Sequence, residues 1–266
     1  MKRLYACLLL ILGLYLHEAF IFWGFPIYAV ILLSKNHKQL LNWILACVPL
    51  VIFALLSIFK GNTEIAHGIV DSWNSVIPEK PLSYALKNSI GALGWETKDT
   101  FLTHLKYNIN ISGGGYGIIL LPLYLLAGYY MFTNFLYVFN KQSIEDKNAS
   151  KLAISLVYSL IIVCMIPMFT VLSCDTGRNF QYLSVVAFAT FLIIPQELII
   201  SAFPNWYRRT IIKFNDMIFK LLPPNKGLMI IMLLFIGMSS AYFSLESCWI
   251  HSVIGTISKV ALSIII

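Results

Sequence analysis

Leu40 to Phe59 reads LLNWILACVPLVIFALLSIF, 20 residues without a charged side chain. A helix of about 20 apolar residues is ~30 Å long, the thickness of the hydrocarbon core of a bilayer. Comparably apolar runs follow at Tyr116 to Phe139, Leu152 to Leu172, Thr176 to Ile200 and Leu228 to Phe243. Before them, Leu4 to Ser34 is too long for one untilted span and too short for two full ones.

Composition agrees with this reading. Hydrophobic residues make up 59% of the chain and charged residues 12%, whereas an ordinary soluble domain is about half apolar and a quarter charged. A single water-facing core cannot absorb that excess, which argues against a soluble enzyme. A net charge of +7 would suit nucleic acid, but the Lys and Arg residues lie mostly in short connectors between apolar runs. That is the pattern of the positive-inside rule. Met1-Lys2-Arg3 before an apolar stretch has the look of a signal peptide, yet no small-residue cleavage site precedes a soluble domain, so it reads as retained. The five cysteines show no metal spacing, and Cys7, Cys47 and Cys164 sit in apolar runs as small hydrophobes.

The fold expected is all-α: one membrane domain over residues 1–266, a polytopic transmembrane helix bundle of about six spanning helices, placed as a multi-pass protein of the bacterial inner membrane. Arg208, Arg209, Lys213, Lys220 and Lys226 against Asp216 mark 204–227 as a cytoplasmic basic loop. Parity then puts 61–115 outside and Asn140 to Lys151 inside. His17-Glu18 interrupts the first stretch and Pro26 follows. It is either one tilted, kinked helix or two half-helices that dip in and return; a re-entrant segment keeps both its ends inside and is the preferred form. The outer loop carries amphipathic helices, with Ile65, Ile69, Trp73 and Ile77 as one apolar stripe, Leu82 to Leu93 as a second, and Thr97 capping a third that carries His104.

Candidate chemistry lies where the bilayer should exclude charge, since an ionised side chain at mid-membrane costs at least ~2.5 kcal/mol. His17 and Glu18, Asp175 with Arg178, Glu197, and the group of Glu64, His67 and Asp71 qualify. Asp175 suits the cap of the helix after it. Arg178 then falls in the first turn, where the helix dipole disfavours a cation, so an anion should compensate. That anion is either a partner such as Asp175 or Glu18, or a substrate phosphate held by the guanidinium fork. Glu18 and His17 admit a parallel choice between structural pairing and a general base acting on a sugar hydroxyl. Asp71 and Trp73 would offer a carboxylate and a ring to a sugar, although interfacial Trp is also ordinary in membrane proteins. No metal-ligand spacing occurs, and Gly113-Gly114-Gly115 lacks the Lys-Ser or Lys-Thr of a phosphate loop.

Through His17-Glu18 with Pro26, Ile69-Val70-Asp71-Ser72-Trp73, and Asp175-x-Gly177-Arg178 opening a membrane helix, the chain resembles bacterial polytopic proteins of surface-polysaccharide gene clusters, the O-antigen and capsule polymerase-like proteins. The resemblance implies a glycosyltransferase-type polymerase that joins oligosaccharide repeat units carried on undecaprenyl pyrophosphate at the outer face, without metal, nucleotide or nucleic acid. Arg178 would hold the pyrophosphate, Asp175 would orient the helix end, and Glu18 or His17 would act as base. Relatives usually have ten or more spans, and this chain has fewer. The competing readings are a transporter or lipid flippase, in which the same charges form a relay, and a non-catalytic membrane scaffold.

The orientation is testable by cysteine labelling in whole cells. A membrane-impermeant reagent should modify a cysteine placed at Lys80 and spare one placed at Lys220; the reverse pattern would invert the bundle.

Overall fold

In a computed structural model of the chain, describing residues 2–36, 39–58, 61–73, 76–77, 101–102, 104–106, 116–139, 144–172, 176–236, 257 and 260–261, the first apolar stretch is broken in two. Helix α1 (Lys2–Leu16) ends where the His17 amide bonds the Gly13 carbonyl at 2.9 Å, and α2 (Phe20–Asn36) starts after a three-residue turn. Phe20 is wedged between glycines of both helices: a Cβ on Gly13 or on Gly24 would lie 2.5 Å from its ring. The lack of side chains there lets α1 and α2 close as a hairpin. Pro26 lies inside α2, and His17-Glu18 lies at the hairpin tip.

Helix α3 (Leu40–Ile58) packs along this hairpin and contains Pro49. Proline has no N–H, so the carbonyl four residues earlier, on Leu45, loses its helical donor. The Tyr28 hydroxyl supplies one at 3.0 Å, and the Cys7 thiol lies 3.8 Å from the same oxygen. Asn42, fully buried, donates to the Leu32 carbonyl at 3.2 Å and accepts from Arg3 at 2.8 Å. These contacts fix the register: Arg3, the end of α2 and the start of α3 lie at one end, while Phe22 meets Phe53 (5.9 Å) toward the other.

After α4 (Thr63–Trp73) come α5 (Tyr116–Phe139) and α6 (Ile144–Pro167), the latter continued by a π-helical turn, Met168–Leu172. Then follow α7 (Thr176–Ile193), α8 (Gln196–Ala202), α9 (Asn205–Leu221) and α10 (Lys226–Ile236). Among the described residues the protein is about 90% helix and has no strand. The core forms where α5, α6 and α7 meet. Tyr124 packs edge-on to Phe180 (5.9 Å), and Phe132 stacks on Tyr158 (5.2 Å). Of the Lys147–Leu172 segment 56% is buried, against 17% of α3, which makes α6 the central helix and α3 a peripheral one.

Several expectations need correction. The run expected to cross from Thr176 to Ile200 stops at Ile193; Pro195 breaks it, and α8 departs at 114°, carrying Glu197. The basic segment 204–227 holds a regular helix, α9 (Asn205–Leu221), which meets α10 at 98°. On α4, Ala66 and Val70 are buried, while Ile65 (50% exposed) and Trp73 (38%) of the expected stripe face outward. Among the described residues two helical segments, α3 and Lys147–Leu172, are long and apolar enough to cross a membrane, and up to four if each bent pair is one span. About six were expected; α1 and α2 supply only shorter apolar helices, Arg3–Leu16 and Phe20–Val30. Leu82 to Leu93 and Thr97 lie outside the described residues.

A Cβ on Gly128 of α5 would meet the Tyr158 hydroxyl and come within 2.8 Å of Phe180 Cζ. Gly128→Val should therefore destabilise the bundle by about 1 to 3 kcal/mol, the usual range for overpacking. Thermal unfolding of detergent-extracted protein checks this, and an unchanged midpoint would mean that these helices are not in close contact.

Candidate functional site

His17 and Glu18 form the exposed tip of the α1–α2 hairpin. Their side chains are 65% and 71% exposed, with Nδ1 and Oε2 3.9 Å apart. The Ala19 amide donates to His17 Nδ1 at 3.2 Å. That lone pair is therefore occupied, which assigns the neutral imidazole its proton on Nε2. Among the described residues His17 is the sole ionic neighbour of Glu18. Of the two forms the sequence allows, one kinked helix or two half-helices that turn back, the chain takes the second at these residues, where the break in the helix releases an amide that His17 bonds.

Aromatic contacts link this tip to α7. The His17 ring lies 6.3 Å from Trp23, and Trp23 stacks on Tyr182 at 4.7 Å and 23°. Tyr182 is one turn beyond Arg178, whose backbone lies in the first turn of α7. The side chain of Arg178, and Asp175 as a whole, lie outside the described residues, as does the proposed capping of α7 by Asp175.

Asp71 and Trp73 occupy the last turn of α4, both exposed. Residues two apart on a helix point about 200° apart, so the two do not form one sugar-facing surface. Asn62 caps this helix, its side-chain oxygen accepting the Ile65 amide at 2.8 Å. Since α3 runs up beside the hairpin to its tip, α4 begins at that same end.

Two features of this end went unassigned in the sequence. His104 is buried, 9% exposed, against the carbonyls of Val171 and Leu172 in the π-helical turn. Burial holds its imidazole below the ordinary histidine value, offset in part by those carbonyls, so the neutral form is favoured. Buried Asn179, next to Arg178, donates to the Met168 carbonyl at 3.4 Å. π-Helical turns recur at functional sites, and this one follows Pro167 and leads into the segment holding Asp175 and Arg178. Pro167 was a visible signal; the packing of His104 on that turn was not.

The opposite end collects cations: Arg3, Lys151, Arg209, Lys213 and Lys220 belong to elements that meet there. A buried polar cluster holds α9 on the bundle. Asn215 accepts from the Tyr129 hydroxyl at 2.7 Å and donates to Ser155 Oγ at 3.1 Å, whose own proton goes to the Lys151 carbonyl at 2.7 Å. Lys151 lies 3.4 Å over the Phe219 ring, a further tie through a cation–π contact. Asn215 follows Ile211 and precedes Ile218 at helical spacing, a signal concealed while 204–227 was read as a loop. Among the described residues no three His, Cys, Asp or Glu side chains are grouped to hold a metal ion. Compared with protein-family models, curated proteins and solved structures, the chain matches none of them.

An exposed, weakly paired carboxylate contributes little to stability. Glu18→Gln should change unfolding free energy by no more than about 0.5 kcal/mol. Calorimetry or thermal unfolding in detergent reads this directly, and a loss of about 3 kcal/mol or more would instead reveal a buried ion pair with Arg178.

Proposed function

We propose that this is a multi-pass protein of the bacterial inner membrane that acts in glycan assembly, joining or transferring lipid-linked oligosaccharide repeat units at the outer face. In this reading α3, α5, α6, α7 and α10 span the bilayer and the α1–α2 hairpin is re-entrant, with the cationic end cytoplasmic. The observation that carries it is the convergence of three elements, the hairpin tip with Glu18, the start of α4 and the first turn of α7 with Arg178, on the end remote from the cations.

The chemistry is a displacement at the anomeric carbon. An acceptor hydroxyl oxygen forms the new glycosidic bond, and the bond to the undecaprenyl pyrophosphate breaks with its electron pair leaving on that group. Arg178 anchors the departing anion through charge-assisted hydrogen bonds. Glu18 takes the hydroxyl proton. It is the better base of the two candidates, because His17 Nδ1 already accepts the Ala19 amide and the neutral ring then has no free lone pair. Asp175 orients the start of α7, and Asp71 or Trp73 contacts sugar from α4, each from a different face.

In cells lacking the native copy, Arg178→Ala should abolish long glycan on a gel while the protein stays at its normal level in the membrane. Glu18→Gln should cut polymer formation by about 10²-fold or more, the range for a lost general base. Full-length polymer from both variants at normal expression would reject a catalytic role and favour a scaffold.

A further inference from the structure

α9 has three faces: one buried against the bundle, one apolar and exposed, and one charged. Successive helix residues turn by about 100°. Ile211, Asn215 and Ile218 fall on the buried side. Next to them runs an exposed apolar stripe, Trp206 (68% exposed), Phe214 (37%), Met217 (51%) and Leu221 (71%). Beyond it lies a polar stripe of Arg209, Lys213 and Lys220 with a single carboxylate, Asp216, all exposed. Among the described residues none of these three cations forms an ion pair.

The orientation of α9 says what this pair of stripes meets. α10 leaves it at 98° and shares a cluster with α5, Met229 and Met232 grouping with Tyr130 and Leu126. α8, on its other side, is turned 114° from α7. α9 therefore stands nearly perpendicular to α10, and its 17 residues, about 25 Å at ~1.5 Å per residue, cross the flank of α6, where Tyr207, Asn215 and Phe219 meet Ser159, Ser155 and Lys151.

We infer that α9 is an in-plane membrane helix that selects anionic lipid: Trp206, Phe214, Met217 and Leu221 enter the acyl region, and Arg209, Lys213 and Lys220 hold lipid phosphates in the adjoining headgroup layer. An apolar stripe beside a cationic one is the pattern of interfacial helices, whose attraction to anionic headgroups adds to apolar burial. A zwitterionic surface would satisfy the apolar stripe but carries no net negative charge to balance three cations. The inference is independent of the glycan reading and of which leaflet this end faces.

The test uses the full chain in phosphatidylcholine vesicles containing phosphatidylglycerol, with bromine on the acyl chains of one lipid or the other. Subtracting the fluorescence of a Trp206→Phe variant isolates the Trp206 signal. At equal fractions of the two lipids, brominated phosphatidylglycerol should quench Trp206 more strongly than brominated phosphatidylcholine. High salt should abolish the difference, as should the combined Arg209→Gln, Lys213→Gln and Lys220→Gln variant; if that variant fails to fold, the salt series on wild type decides. Equal quenching by both lipids overturns the headgroup selection. No Trp206 quenching by either overturns the membrane face altogether and means that water, a second copy of the chain or another protein covers the stripe.

Discussion

Where the surroundings are apolar, each backbone amide and carbonyl needs a partner inside the protein, and that constraint shapes every element described here. Helices meet it along their length, and the prolines are the points where it fails. At Pro49 the freed Leu45 carbonyl draws the Tyr28 hydroxyl from α2 and lies beside the Cys7 thiol of α1, so one missing N–H becomes the joint of three helices. At Pro195 the helix ends and α8 turns away at 114°. After Pro167 the helix widens into a π-helical turn, and a side chain from the next helix, Asn179, reaches the Met168 carbonyl.

Close packing follows from small residues at the crossings. Gly13 and Gly24 leave room for Phe20, and Gly128 leaves room for Tyr158 and Phe180. Without a strong hydrophobic drive between apolar helices, such shape matching and shared polar contacts hold a bundle together. Polar side chains serve the same end: Asn42 ties α1, α2 and α3, while Asn215 ties α9 to α5 and α6. Each has its hydrogen bonds satisfied within the protein, which is what makes a buried amide tolerable.

The two ends of the bundle differ in charge and in architecture. One carries the basic helix α9, anchored on α5 and α6 through Asn215. The other carries a hairpin tip, the start of an amphipathic helix and a widened helix end against which His104 is buried. At the second end the carboxylate of Glu18 is accessible and α7 begins. The aromatic path from His17 through Trp23 to Tyr182 holds the hairpin tip near that turn.

Apolar run length and the near absence of charge determined, by themselves, that this protein is helical and where most helices lie; α5 has the very bounds that its apolar run marks, Tyr116 to Phe139. The basic character of 204–227 was equally legible, because charge is a property of the residues alone. Tertiary structure decided the rest. Whether a proline is held within a helix, as Pro49 is beside the Tyr28 hydroxyl, or lies at a break, as Pro195 does, is decided by the packing around it. The buried face of α4 is Ala66 and Val70 rather than Ile65 and Trp73, since what is buried follows from what a helix packs against and not from hydrophobicity. The sequence leaves His17 and Glu18 either in a kinked helix or between two half-helices; the hairpin is decided by Gly13 and Gly24 admitting Phe20, a contact that exists only when the chain has folded back on itself.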